Sequence, residues 1–166
     1  MRWAGASRDA NCAGIGCGAL AGARAVSAPA GPRASAPAAG RLLGFQDALA
    51  EDPGIQVRSS LRGDYQRAVA RDVFLRAKHQ WPGVDAVLCA NDVMARGVLD
   101  ARDANPGNGP LVVGVNAIPA AVAAIAAGRM LATADFNAMT MSEIATEAAV
   151  RHLRGQCFHR SLMLFV

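Results

Sequence analysis

The chain has 166 residues, enough for one ordinary domain and too few for two full ones. Hydrophobic residues make up 52% of it, yet no apolar run reaches the ~18 residues of a membrane span, so none is expected. The formal charge of +4 is lopsided: residues 1–40 hold four Arg and one acid, whereas the other 126 hold 13 bases and 12 acids. The body shows no basic stripe and no aromatic-basic interleaving, so no nucleic-acid partner is expected.

Of residues 1–40, 24 are Ala, Gly or Pro, and no helical or alternating pattern survives for two turns. Such a segment has little to bury, and a mostly disordered low-complexity leader is expected over 1–40, with the folded domain over 41–166. Deleting Met1 to Pro37 is expected to leave the stability of the body within about 0.5 kcal/mol. Within it only "ARAVSAPAG" reads as a degenerate first strand. As a secretion signal the start is unconvincing, because "ASRDAN" interrupts where the apolar core belongs.

From Arg41 the pattern alternates between helical and extended. "RLLGFQDALAED" reads as a helix burying Leu42, Phe45 and Leu49, closed by Pro53-Gly54, and "IQVRSS" as a strand. "DYQRAVARDVFLRAKHQW" is a helix with Val69, Val73, Phe74 and Ala77 on one face. "VDAVLCA" is an apolar strand of the kind buried on both sides of a parallel sheet. "DVMARGVLDARD" is a helix, "NPGNG" its turn and "PLVVGV" the next strand. "PAAVAAIAAG" is a short helix with Gly128 at its carboxyl cap. "LATADF" is extended, and "TMSEIATEAAVRHLRG" is a helix expected to turn Ile144, Ala148 and Leu153 inward. The alternation predicts an α/β fold with an open, doubly wound, mostly parallel sheet, whose ligands lie beyond the carboxyl ends of the strands.

That edge holds the candidate site. Asn91 and Asp92 follow a strand directly. Asp92 is expected as the helix cap, leaving the Asn91 amide to a ligand. Alanine at Asn91 is then expected to cost little folding free energy, and at Asp92 about 1 kcal/mol. Asn116 follows the next strand, and Asp135 or Asn137, with Phe136 between them, follows the third. Tyr65 opens a helix and has an apolar ring to offer. Amides, a carboxylate and an aromatic suit a small, neutral, polyhydroxylated ligand. Each residue also has a plain reading, since Asn and Asp after strands are common turn formers and caps.

"RLLGF", "CANDVMARGVLDA", "VVGVN", "AAIAAGRMLAT" and "MSEIATEAAVRHLRG" together resemble the periplasmic sugar-binding proteins of ABC importers, of the ribose-binding type. The sensor domains of LacI-type repressors share that fold. The resemblance covers Arg41 to Val166 and implies a single, carboxyl-terminal lobe of the type I periplasmic-binding-protein fold. It also implies a missing amino-terminal lobe, permease subunits as membrane partners, a sugar or polyol ligand and a periplasmic location.

By the resemblance, Asn91 matches an asparagine that hydrogen-bonds sugar hydroxyls, and Tyr65 the aromatic that stacks on the sugar. Asn116 stands where an aspartate is usual and Phe136 where a glutamine is usual. The clamping arginine would fall at Ala39 and is absent, and Arg41 is assigned a structural role. "HRSLMLFV" resembles the strand that runs back to the hinge. The alternative readings are a repressor sensor domain and a truncated remnant without effective binding.

No enzyme is expected. The sequence has no P-loop, no G-x-S-x-G and no H-E-x-x-H, and "GIGCGALAG" lacks both the spacing and the preceding strand of a dinucleotide loop. His79, His152 and His159 are dispersed, and the four cysteines match no zinc or redox pattern, so neither metal nor cofactor is expected. Cys89 is expected to be a small buried hydrophobe, with a Cys89–Cys157 disulfide as the alternative.

Overall fold

A computed structural model of the chain describes residues 2–4, 25–27, 31, 35–59, 61–80, 84–104 and 109–156. "HRSLMLFV", Cys157 and much of the expected leader lie outside the described residues. The elements in chain order are β1 (Arg2–Ala4), β2 (Ala25–Ser27), α1 (Ala36–Ala50), β3 (Gln56–Ser59), α2 (Arg67–Gln80) and β4 (Ala86–Leu88). They continue with α3 (Asp92–Asp103), β5 (Leu111–Val115), α4 (Pro119–Ala126), β6 (Ala132–Asp135) and α5 (Ala138–Leu153).

The six strands form one sheet in the order β1-β6-β5-β4-β2-β3. All pairs are parallel except β1 with β6. The expected doubly wound α/β sheet is therefore present. The "ARAVSAPAG" segment supplies β2, an interior strand whose Val26 partners Val57 on one side and Ala86 on the other. Helix α1 also starts earlier than its periodicity suggests, at Ala36 behind the Ser35 cap, so folded structure extends across the expected 40/41 boundary.

Period-two alternation along β4 and β5 divides the core between the two faces of the sheet. On one face Ala86, Leu88 and Val113 pack with Leu49 of α1. On the other, Val87, Cys89 and Val112 meet Phe74, Met94, Val98 and Ala121 from α2, α3 and α4. Cys89 is fully buried and free, as its hydrophobic setting suggests. Helices α2 and α3 approach closely at Gly97, where a Cβ would collide with the Arg67 carbonyl.

Helix α5 departs from expectation. None of its residues is buried: Ile144 and Ala148 are half-covered, and Leu153 is 85% exposed. Periodicity gave the helix an apolar side, but among the described residues no element lies broadly against it. No described helix is long and apolar enough to cross a membrane.

Candidate functional site

Strand order reverses between β2 and β4: the chain steps from β2 outward to β3, then crosses back to β4. The carboxyl ends of the strands flanking such a switch point diverge and open a crevice. The β3–α2, β4–α3, β5–α4 and β6–α5 loops all leave this edge. Among the described residues, the non-glycine positions with positive φ are Asp64, Tyr65, Asn116, Ala117 and Asn137, and every one lies in these loops. Strained backbone gathered at one edge is a recurrent mark of a working surface.

Asn91, not the expected Asp92, caps the helix. Asn91 has the extended backbone of an N-cap (φ −155°, ψ 166°), and its Oδ1 accepts from the Met94 amide at 2.9 Å. Asp92 is already the first helical residue, and its carboxylate turns toward the sheet. There Oδ1 accepts from the Thr133 hydroxyl at 2.6 Å and Oδ2 from the Ile118 amide at 2.9 Å. The Ala117 amide in turn donates to Thr133 Oγ1. Asp92 is fully buried, and it latches α3 to the loop after β5 and to β6. The latch also explains Gly114, where a Cβ would strike Asp92 Oδ1.

Burial pushes the Asp92 carboxyl above its ordinary range, outweighing Thr133, the Ile118 and Ala117 amides and the nearby Arg41 charge, all of which lower it. As pH rises from about 4 toward the folded value, the native state therefore holds a proton that the unfolded chain has lost. The contribution of Asp92 to stability must fall with rising pH across that window. Asp100 and Asp103, held low by their arginine partners, add a rise with pH in both proteins, so urea melts across this interval should show wild type losing stability relative to Asp92→Asn as pH rises. Parallel curves would assign it to other groups.

Arg41 joins the other candidates. From α1, its guanidinium donates to the Ala90 carbonyl at 2.7 Å and to Asn116 Oδ1 at 3.0 Å, and lies 5.6 Å from the centre of the Phe136 ring. One cation thus draws together the ends of β4, β5 and β6. Periodicity placed Arg41 on a helix, and the resemblance assigned it only a structural role. Its position in "RLLGF" was the available signal, but its partners lie 49 and 75 residues away.

The remaining candidates are less central. Asp135 is half-buried and its Oδ1 accepts from the Asn137 amide. Asn137 is exposed and caps α5 through Thr140. Tyr65 packs against the core beside α2, with its hydroxyl 3.3 Å from Ser35 Oγ at the start of α1. The structure therefore brings Asn116 and Phe136 together on Arg41, with Asn91 next to its backbone partner Ala90, and anchors Tyr65 on Ser35. Among the described residues no cluster of His, Cys, Asp or Glu has the make-up of a metal site.

The D-allose-binding periplasmic protein of Escherichia coli K12 is 36% identical to this chain over 98 residues, 58% of this chain and 32% of that protein. The D-ribose/D-allose-binding protein of Pseudomonas aeruginosa is 32% identical over 117 residues, 70% of this chain and 36% of the relative. This chain spans about a third of the length of these curated relatives. A solute-binding protein from Actinobacillus succinogenes, solved with D-allose, superposes with a TM-score of 0.80 at 26% identity, covering 86% of this chain and 50% of that one. The arabinose-transporter binding protein of Shewanella sp. ANA-3, solved with L-arabinofuranose, gives 0.79 at 26% identity, covering 90% and 52%. The family model of the periplasmic binding protein domain matches residues 20–157, and the chain belongs to that family.

Proposed function

We propose that this chain forms one lobe of the solute-binding component of an ABC importer for a sugar or polyol, working in the periplasm and delivering to a membrane permease. The observation that carries this reading is the meeting of Asn116, Phe136 and the Ala90 carbonyl, next to Asn91 in the chain, on Arg41 at the switch-point edge. The fixed amides supply directional hydrogen bonds, as hydroxylated ligands require, and Phe136 adds an apolar surface. Relatives named for allose and ribose, and neighbours solved with allose and arabinose, support the ligand class. Asp135 offers an acceptor at the same edge, with Tyr65 and Asn137 flanking it.

The chain alone leaves this edge open to water, so affinity should be millimolar or weaker, about 4 kcal/mol or less. Titration of the isotope-labelled chain with D-allose, D-ribose, L-arabinose and myo-inositol, followed by amide NMR, resolves binding this weak. Shifts should concentrate at residues 90–92, 116–118 and 135–137. Saturable shifts confined to another face would sink the assignment, as would none at all with any small polyhydroxylated ligand.

A further inference from the structure

The hydrogen bonds that hold the two central asparagines also decide what they show a ligand. Asn116 Oδ1 accepts from Arg41, and turning the amide over would set its NH2 against a guanidinium, donor against donor. Asn91 Oδ1 accepts from the Met94 amide, and the same exclusion applies. Both side chains are therefore fixed with Nδ2, a pure donor, as the group not engaged in these bonds. Arg41 adds a third donor group: its guanidinium carries five N–H, and the Ala90 and Asn116 oxygens account for two.

The charge points the same way. Among the described residues no carboxylate stands within ion-pair distance of Arg41, although other arginines pair with Asp64, Asp72, Asp100, Asp103 and Glu147. Asp92 is close enough to feel Arg41 through space, but its short contacts go to Thr133 and Ile118. Asp135 turns one oxygen onto the Asn137 amide. The half-buried Arg41 is thus a fork of donors with a ring, a carbonyl and an amide around it, and no counter-charge in contact.

We propose that the edge formed by Arg41, Asn91 and Asn116 takes an acidic sugar, an aldonate or uronate, with its carboxylate against the Arg41 guanidinium. A guanidinium and two amide donors match the acceptor-only oxygens of a carboxylate, and charge-assisted bonds of this kind exceed those to neutral hydroxyls. This proposal rests on the sugar-binding reading above and narrows its ligand.

The test pairs each neutral sugar with its acid: D-allose with D-allonate, D-ribose with D-ribonate, L-arabinose with L-arabinonate, and D-galactose with D-galacturonate. In amide-NMR titrations of the 166-residue chain, at least one acid should bind about tenfold tighter than its neutral partner. Its shifts should include the Arg41 side-chain resonance and both asparagine NH2 groups. Asn116→Asp, which gives Arg41 a carboxylate of its own, should abolish that preference while a wild-type circular dichroism spectrum shows the fold intact. Arg41→Gln should do the same by removing the charge.

Neutral sugars binding as well as or better than their acids at this edge would overturn the proposal and leave the sugar-binding reading standing. An acid preference that survives in both variants would also overturn it. Silence toward every compound would sink the sugar-binding reading, and the proposal with it.

Discussion

Replacing Val26 with proline should destabilise the fold by about 3 kcal/mol or more, an effect set by the place of β2 in the sheet. Val26 lies between β3 and β4, so its backbone serves ladders on both sides. Proline has no N–H to donate and is tolerated in sheets only at edges or bulges; the register with β3 does shift between Val26 and Ser27, but pairing with β4 runs unbroken through Val26–Ala86 and Ser27–Val87. A chain shortened to begin at Ser35 should fare worse and lose its cooperative melt, because β3 would have no neighbour and β4 would gain an open edge. The Ala/Gly/Pro-rich composition suggested instead that the whole segment could go at almost no cost. Urea melts followed by far-ultraviolet circular dichroism decide the matter. A Val26→Pro transition within about 0.5 kcal/mol of wild type would place β2 outside the cooperative unit.

What was legible followed from periodicity. Helix α3 runs from Asp92 to Asp103, as its pattern indicates, because its apolar stripe, polar start and following turn all agree. Strands β4 and β5 were legible from apolar runs too short for helices. Strand β2 was nearly invisible for the opposite reason. Three residues, Ala-Val-Ser, gain their stability from backbone pairing with two neighbours, and side-chain composition does not record that.

Leu153 shows a related gap, since a helical repeat says which side is apolar but not whether anything covers it. The site was legible in its parts and not in its wiring. Asn91, Asn116 and Phe136 stand at strand ends where the topology puts them. The cation that joins Asn116, Phe136 and the Ala90 carbonyl beside Asn91 comes from α1, across a separation in sequence that no local pattern bridges.

The capping by Asn91 and the buried latch at Asp92 give the second large effect. Either residue is a good cap by type, and the choice turned on Thr133, 41 positions further along, which holds the Asp92 carboxylate while Asn91, just before the helix, caps it. Asn91→Ala removes one capping bond, to the Met94 amide, and should cost about 1 kcal/mol. Asp92→Ala removes the acceptor for the buried Thr133 hydroxyl and for the Ile118 amide, and empties the space against Gly114. Two donors left unsatisfied, at about 1–3 kcal/mol each, set an expected loss of about 3 kcal/mol. Asp92→Asn should fall between the two. Its oxygen keeps Thr133, but its NH2 then faces the Ile118 amide, donor against donor. Ligand titrations should rank the variants the other way, with Asn91→Ala weakening binding at the edge more than Asp92→Asn does, since Asn91 keeps 7% of its surface exposed and Asp92 none. Matched urea melts and titrations on the three variants test both orders. If Asn91→Ala proved the more destabilising while leaving ligand shifts untouched, the cap would carry the fold and the latch would not.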